Sequence, residues 1–168
     1  MTDPTTAPTP AAPTRSTDHA TFSVERASAH SPELVYGAFA DPAGKAAWFF
    51  GPEGWQSGNH RLDFRVGGHE HLETVLPDGG PVITFDATYL DLVPGERVIY
   101  AYEMTMDGQR LSASLACLTF HPVDGGTHLT VTEHGIFLDG LDRVEERERG
   151  TRELLDKLGR WLDMGGAA

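Results

Sequence analysis

The stretch "GGHEHLE", Gly67–Glu73, brings together side chains that could do chemistry. On a strand His69, His71 and Glu73 share one face, with the two histidines roughly 7 Å apart. A zinc site needs three or four converging ligands. A flat strand spreads its side chains, so no metal is expected, and the three are read as polar residues on an outer sheet face. Glu133 offers a different chemistry. It follows Leu129 and Val131 at period two, so it continues an inward row. A buried carboxylate has a raised pKa and can serve as a general acid or base. The competing reading is a wet strand-end carboxylate, solvated or paired with an arginine such as Arg65, and strand ends favour it. Tyr100 and Tyr102 are the other acid–base candidates. Cys117, the one cysteine, has no basic neighbour in sequence and no nucleophile signature. No GxSxG, Walker or dinucleotide motif occurs, and "RVGG" at Arg65–Gly68 is too short for a phosphate loop. No cofactor is expected.

These residues must be held by elements that the sequence marks out. Phe22 and Val24 alternate with polar neighbours and predict a first strand. Ser31-Pro32 and Asp41-Pro42 each read as an N-cap followed by proline at the first helical position, so two short helices follow in tandem. Gly51 and Pro52 are expected to end the second. From about Asn59 to Gly135 the period becomes two, with turns at Pro77–Gly80, Pro94–Gly95, Asp107–Gly108 and Asp124–Gly126. That predicts six antiparallel strands in a meander, seven with the first. Val144, Leu154, Leu155, Leu158, Trp161 and Leu162 place one long amphipathic helix at the end, with Gly150 as a possible bend or close approach. The acidic, Arg-laced start of this helix, Asp142–Gly150, reads as a solvated surface with pairs such as Glu145–Arg149.

A sheet with alternating faces needs a cover, and only the last helix is long enough to supply it. The expected fold class is therefore α+β, a curved sheet of about seven strands around one helix. Its inward row contains Leu62, Phe64, Phe85, Ala87, Tyr89, Val98, Tyr100, Tyr102, Met104, Ser112, Ser114, Ala116, Leu118, Phe120, Leu129 and Val131. Small side chains and tyrosines in that row favour a space not wholly filled. Trp48, Phe49, Phe50 and Trp55, in a segment broken by glycines and prolines, are expected to line or lid its mouth.

The chain has 168 residues, enough for one domain with trimmings. Residues 1–20 are Thr, Pro and Ala with hardly a large apolar side chain, so a disordered tail is expected there. The domain is placed at residues 21–164, and residues 165–168 are expected to fray. The N-terminal stretch lacks the apolar core of a secretory signal, and one cysteine fits a reducing compartment; a cytoplasmic location is expected. A net charge of −12 argues against nucleic-acid backbones and anionic membranes as partners. A monomer or weak homodimer is expected.

The segments "SPELVYGAFADPAGKAAWF", "DFRVGG", "LVPGERVIYAYEM", "GGTHLTVTEHGIF" and "RERGTRELLDKLG" follow one another in an order similar to the START-like, or SRPBCC, superfamily. Within it the chain resembles the activator of heat-shock-protein-90 ATPase homologue family, over about Thr21 to Asp163. Many members carry a tryptophan after the glycine in the last helix, whereas here Thr151 follows Gly150. The resemblance implies a helix-grip fold with a hydrophobic cavity between sheet and helix. It does not imply a single activity. The expected ligand-binding set is Phe39, Trp48, Phe49, Trp55, Phe64, Phe85, Tyr89, Tyr100, Tyr102, Met104, Ser114, Ala116, Leu118, Val131 and Leu158. The expected function is binding of a small hydrophobic or aromatic molecule. Two alternatives stand beside it: a polyketide cyclase/aromatase-like or hydrolytic enzyme using the same cavity, and a co-chaperone-like interaction module.

Overall fold

The computed structural model describes residues 14–51 and 54–166. Strand β1 (Thr17–Ser28) leads into α1 (Pro32–Ala40) and α2 (Pro42–Trp48). Strands β2 (Gln56–Leu62), β3 (His69–Val75), β4 (Val82–Val93), β5 (Arg97–Met106), β6 (Gln109–Val123) and β7 (Gly126–Leu138) follow, and α3 (Val144–Asp163) closes the chain. The seven strands form one antiparallel sheet in the order β1-β7-β6-β5-β4-β3-β2. With α3 against it and the two short helices after β1, this is the α+β helix-grip-like fold expected.

Local chemistry accounts for the elements. Ser31 accepts from the Leu34 amide and Asp41 from the Gly44 amide, so each short helix has the cap that its sequence offers. α2 stops at Trp48, with Phe49 already off helical geometry, before Gly51 is reached. The β5–β6 hairpin turns on Asp107 and Gly108, both at positive φ, which matches the right-handed twist of the flanking strands.

Two boundaries and one glycine differ from expectation. β1 starts at Thr17, inside the stretch expected to be a tail, because its residues pair with β7 down to Leu138 and Asp139 bonds both Arg15 and the Ser16 amide. The first 13 residues of that tail lie outside the described residues. Gly165 and Gly166 return hydrogen bonds to Leu162 and Trp161, which closes the end of α3 rather than fraying it. Residues 167–168 lie outside the described residues. Gly150 meets nothing where a Cβ would stand, and α3 runs through it, so no close approach explains that glycine.

Leu155, Leu158 and Leu162 of α3 bury against Phe22, Val24, Leu118, Leu129 and Val131 of the sheet in one core. Burial of this apolar surface, at about 25 cal/mol per Å², is the main force holding helix to sheet. Against α3 the packing leaves a void of about 10 Å³ beside Val35, Leu129 and Leu158, room for a single water.

Candidate functional site

Further along the inner face of the sheet, the core turns polar. Two charged groups of residues stand there, with an aromatic row between them.

The first is built from α2, β2, β3 and β4. Lys45 lies one helical turn before Trp48, and the same face of α2 that buries Trp48 turns Lys45 inward. Its Nζ donates to Glu70 Oε2 at 2.5 Å and to the Tyr89 hydroxyl at 3.2 Å. The Tyr89 hydroxyl donates to the same carboxylate oxygen at 2.6 Å, and His60 Nε2 meets Glu70 Oε1 at 2.9 Å. The Lys45 ammonium also sits 4.5 Å from the centre of the Phe49 ring. Lys45 and Glu70 are 3% and 2% exposed, so this ion pair is fully taken out of water. Burial lowers the Lys45 pKa, opposed by Glu70. For Glu70, burial pulls upward but Lys45, His60 and Tyr89 outweigh it, and its pKa falls below the usual carboxylate value. Burial, with Glu70 beside it, pushes the Tyr89 hydroxyl far up, so it stays a neutral donor.

The second group joins α3 to β5, β6 and β7. Arg147 Nη1 donates to the Tyr102 hydroxyl at 2.8 Å and to Glu133 Oε1 at 3.1 Å. Nη2 donates to Ser112 Oγ at 2.7 Å and to Asp142. Ser114 Oγ donates to Glu133 Oε1 at 2.8 Å. Burial works against the charge of Arg147, but Tyr102, Glu133 and Asp142 outweigh it and hold the guanidinium protonated. Burial also raises the Tyr102 pKa, with Arg147 opposing.

Between the groups runs an aromatic row. The Tyr100 ring is 5.8 Å from Tyr89, 5.7 Å from Tyr102 and 6.1 Å from Phe85. Burial raises the Tyr100 pKa well above its ordinary value, with Tyr102, Glu133 and Glu70 adding to it. Tyr100 nevertheless keeps part of its surface open, as do Phe49, Leu62, Phe64 and Met104, all packed against the core. Among the described residues its hydroxyl has no side-chain partner, while every fully enclosed side-chain N or O has one. The Tyr100 oxygen is therefore not fully enclosed.

The expected ligand-binding residues fall in three places. Phe39, Trp48, Phe85, Tyr89, Tyr102, Ala116, Leu118, Val131 and Leu158 are buried in the core, with Ser114 among the buried polar groups. Phe49, Phe64, Tyr100 and Met104 are partly buried beside it. Trp55 lies apart, half-buried, packed over Gly51 and near Thr74. Trp48, expected at a mouth, is 1% exposed, wedged between Phe39 and Phe49, and its indole N–H donates to the Ala38 carbonyl at 3.1 Å. Phe50 lies under Lys157 of α3, which also donates to the Phe50 carbonyl at 2.9 Å and to that of Gly51.

The preferred reading of Glu133 is corrected. It is 3% exposed and pairs with Arg147, because β7 runs on to Leu138 and sets Glu133 mid-strand between Phe22 of β1 and Ala116 of β6. Arg65 instead pairs with the exposed Asp63. The acidic start of α3 is likewise not all solvated: Arg147 turns in, and the helix pairs are Glu148–Arg152 and Arg149–Glu153. His69 and His71 lie on the outer face, bonded to Thr88 and Asp86. Sequence reasoning passed over Lys45, His60, Glu70 and Arg147. Glu70 carried a signal, since it alternates with His69 and His71 and shares its face with Leu72 and Thr74. Arg147 carried one too, three residues after Val144 on the apolar seam.

The family described as "Activator of Hsp90 ATPase homolog 1-like protein" matches residues 29–163. The chain belongs to that family. A solved structure of a Rhizobium leguminosarum protein is 39% identical, with a TM-score of 0.85, over 90% of this chain and 99% of that one. A Rhizobium loti protein is 41% identical, with a TM-score of 0.79, over 86% of this chain and 98% of that one. An Aeromonas hydrophila structure described as an AHSA1-like protein shares the fold at 21% identity and a TM-score of 0.67, over 89% of this chain and 96% of that one. No curated protein matches the chain. Fold and family together support a ligand-binding or interaction module in general. No helix among the described residues is long and apolar enough to cross a membrane.

Proposed function

We propose that this protein binds a small hydrophobic or aromatic molecule between the sheet and α3, beside the partly buried Tyr100. The observation that carries the reading is the Tyr100 hydroxyl, free of side-chain partners in an aromatic setting where every enclosed polar atom is satisfied. Apolar walls with a few convergent polar groups are the usual composition of a small-molecule site. Phe85, Tyr89 and Tyr102 supply flat faces, and partly buried Phe49 and Met104 can yield by rotation. The 10 Å³ void against α3 is too small for such a ligand, so occupation requires those partly buried side chains to move apart. Native mass spectrometry of gently purified protein, followed by denaturing analysis of anything released, tests the reading. A retained apolar compound, lost from a Tyr100→Arg variant that still folds, supports it. Bare protein, together with no binding of naphthalene or 2-naphthol by calorimetry, rejects it.

A further inference from the structure

We infer that the molecule taken up at Tyr100 is uncharged and offers an oxygen acceptor, a carbonyl or hydroxyl, to the Tyr100 hydroxyl, and that carboxylates are turned away. This rests on the reading of the interior as a ligand site. Two cations flank the aromatic row, and neither is free. Lys45 is bonded to Glu70 and Tyr89, and its ammonium stands against the Phe49 ring. Arg147 spends Nη1 on Tyr102 and Glu133, and Nη2 on Ser112 and Asp142. Against these two cations stand three carboxylates: Glu70, Glu133 and Asp142. An incoming anion would find no unpaired positive charge and would face like charge at both ends of the aromatic row, which penalises it by several-fold at least. The three tyrosine hydroxyls of the aromatic row also differ. That of Tyr89 donates to Glu70, and that of Tyr102 accepts from Arg147 and hydrogen-bonds to Glu133. Among the described residues, that of Tyr100 has no side-chain partner, so its O–H is free to donate.

The test compares naphthalene, 2-naphthol and 2-naphthoate by isothermal titration calorimetry at pH 7, on the full chain and on Tyr100→Phe. This change removes one oxygen that no side chain bonds. 2-Naphthol is expected to bind at least about 10-fold more tightly than 2-naphthoate. Tyr100→Phe should weaken 2-naphthol by about 5-fold, the scale of one hydrogen bond, and leave naphthalene unchanged. Equal or tighter binding of 2-naphthoate overturns the inference while leaving the site in place. So does 2-naphthol affinity that Tyr100→Phe does not alter. Failure of both naphthalene and 2-naphthol to bind removes the site itself. The wild-type comparison of naphthol with naphthoate stands even if the variant does not fold.

Discussion

Glu70 is the acceptor on which the first polar group depends. It takes hydrogen bonds from Lys45 and Tyr89 on one oxygen and meets His60 on the other. A buried ion pair of this kind gains little net stability over apolar residues of like volume, yet breaking it strands a charge out of water. Lys45→Met should therefore destabilise the fold by about 3–5 kcal/mol. Lys45→Met with Glu70→Met should cost clearly less than the two single changes added together. Urea unfolding of the three variants checks this; additive costs would mean that the pair is not coupled. A pH dependence follows with a definite sign. The folded Glu70 pKa is lowered, so its contribution is fully present above the ordinary carboxylate value near 4.5 and is lost as pH falls through the lowered folded value. The doubly substituted chain should accordingly lose less stability than wild type between pH 5 and pH 3, read from urea midpoints at each pH. An equally steep acid limb in both would assign acid unfolding to other carboxylates.

At the scale of elements, the chain spends two adjacent glycines on aligning Glu70 with Tyr89. Gly67 sits at a φ of +77°, and its amide donates to the Tyr89 carbonyl at 2.8 Å. The Tyr89 amide donates back to the Gly68 carbonyl at 3.0 Å, which fixes the start of β3 against β4. A Cβ on Gly68 would run into the backbone carbonyl of Asp63, which cannot swing away as a side chain can. Gly68→Ala should thus destabilise by roughly 2 kcal/mol or more, as overpacking against fixed atoms does, and should disturb Phe64, whose ring lies 4.8 Å from that of Tyr89. Thermal unfolding and the near-ultraviolet circular dichroism of the aromatic row would report both effects; an unchanged Tm would show that the Asp63 turn can give. The same elements show what the sequence made legible. Caps marked the two short helices, helical spacing marked α3, and hairpin turns with period two marked the strands, because each is a local signal. The inward placement of Lys45 and Arg147 was not legible from charge, since both lie on helices whose outer faces are polar. Only the position of their partners across the sheet makes burial tolerable, and pairings between Lys45 and Glu70 or Arg147 and Glu133 leave no local trace. Glu133 was misjudged for a related reason: its strand continues through Gly135, where Phe137 and Ser114 crowd the place of a Cβ, so an apparent strand end is a mid-strand position.

For the whole molecule, the balance of 13 basic against 25 acidic residues sets the electrostatic character. The interior withdraws Lys45 and Arg147 together with Glu70 and Glu133, which leaves the excess of acidic over basic residues at the surface unchanged. Several exposed pairs relieve it locally, among them Arg97–Asp91, Arg110–Glu103 and Arg15–Asp139. Exposed pairs contribute about 0–1 kcal/mol each and are weakened by salt, whereas net self-repulsion destabilises the compact state and is weakened by the same salt. Which effect wins decides the sign of the salt response. With a net charge of −12 over 168 residues, repulsion outnumbers the pairs, and the buried groups are screened hardly at all. Raising sodium chloride from about 20 mM to 500 mM, which shortens the screening length to a few Å, should raise Tm by several degrees at pH 7. The same repulsion opposes self-association at low salt, so sedimentation at 20 mM should give the monomer mass, with any weak dimer confined to high salt. Differential scanning calorimetry across that salt range decides the matter: a falling Tm would show that the exposed ion pairs, rather than the net charge, govern the stability of the fold.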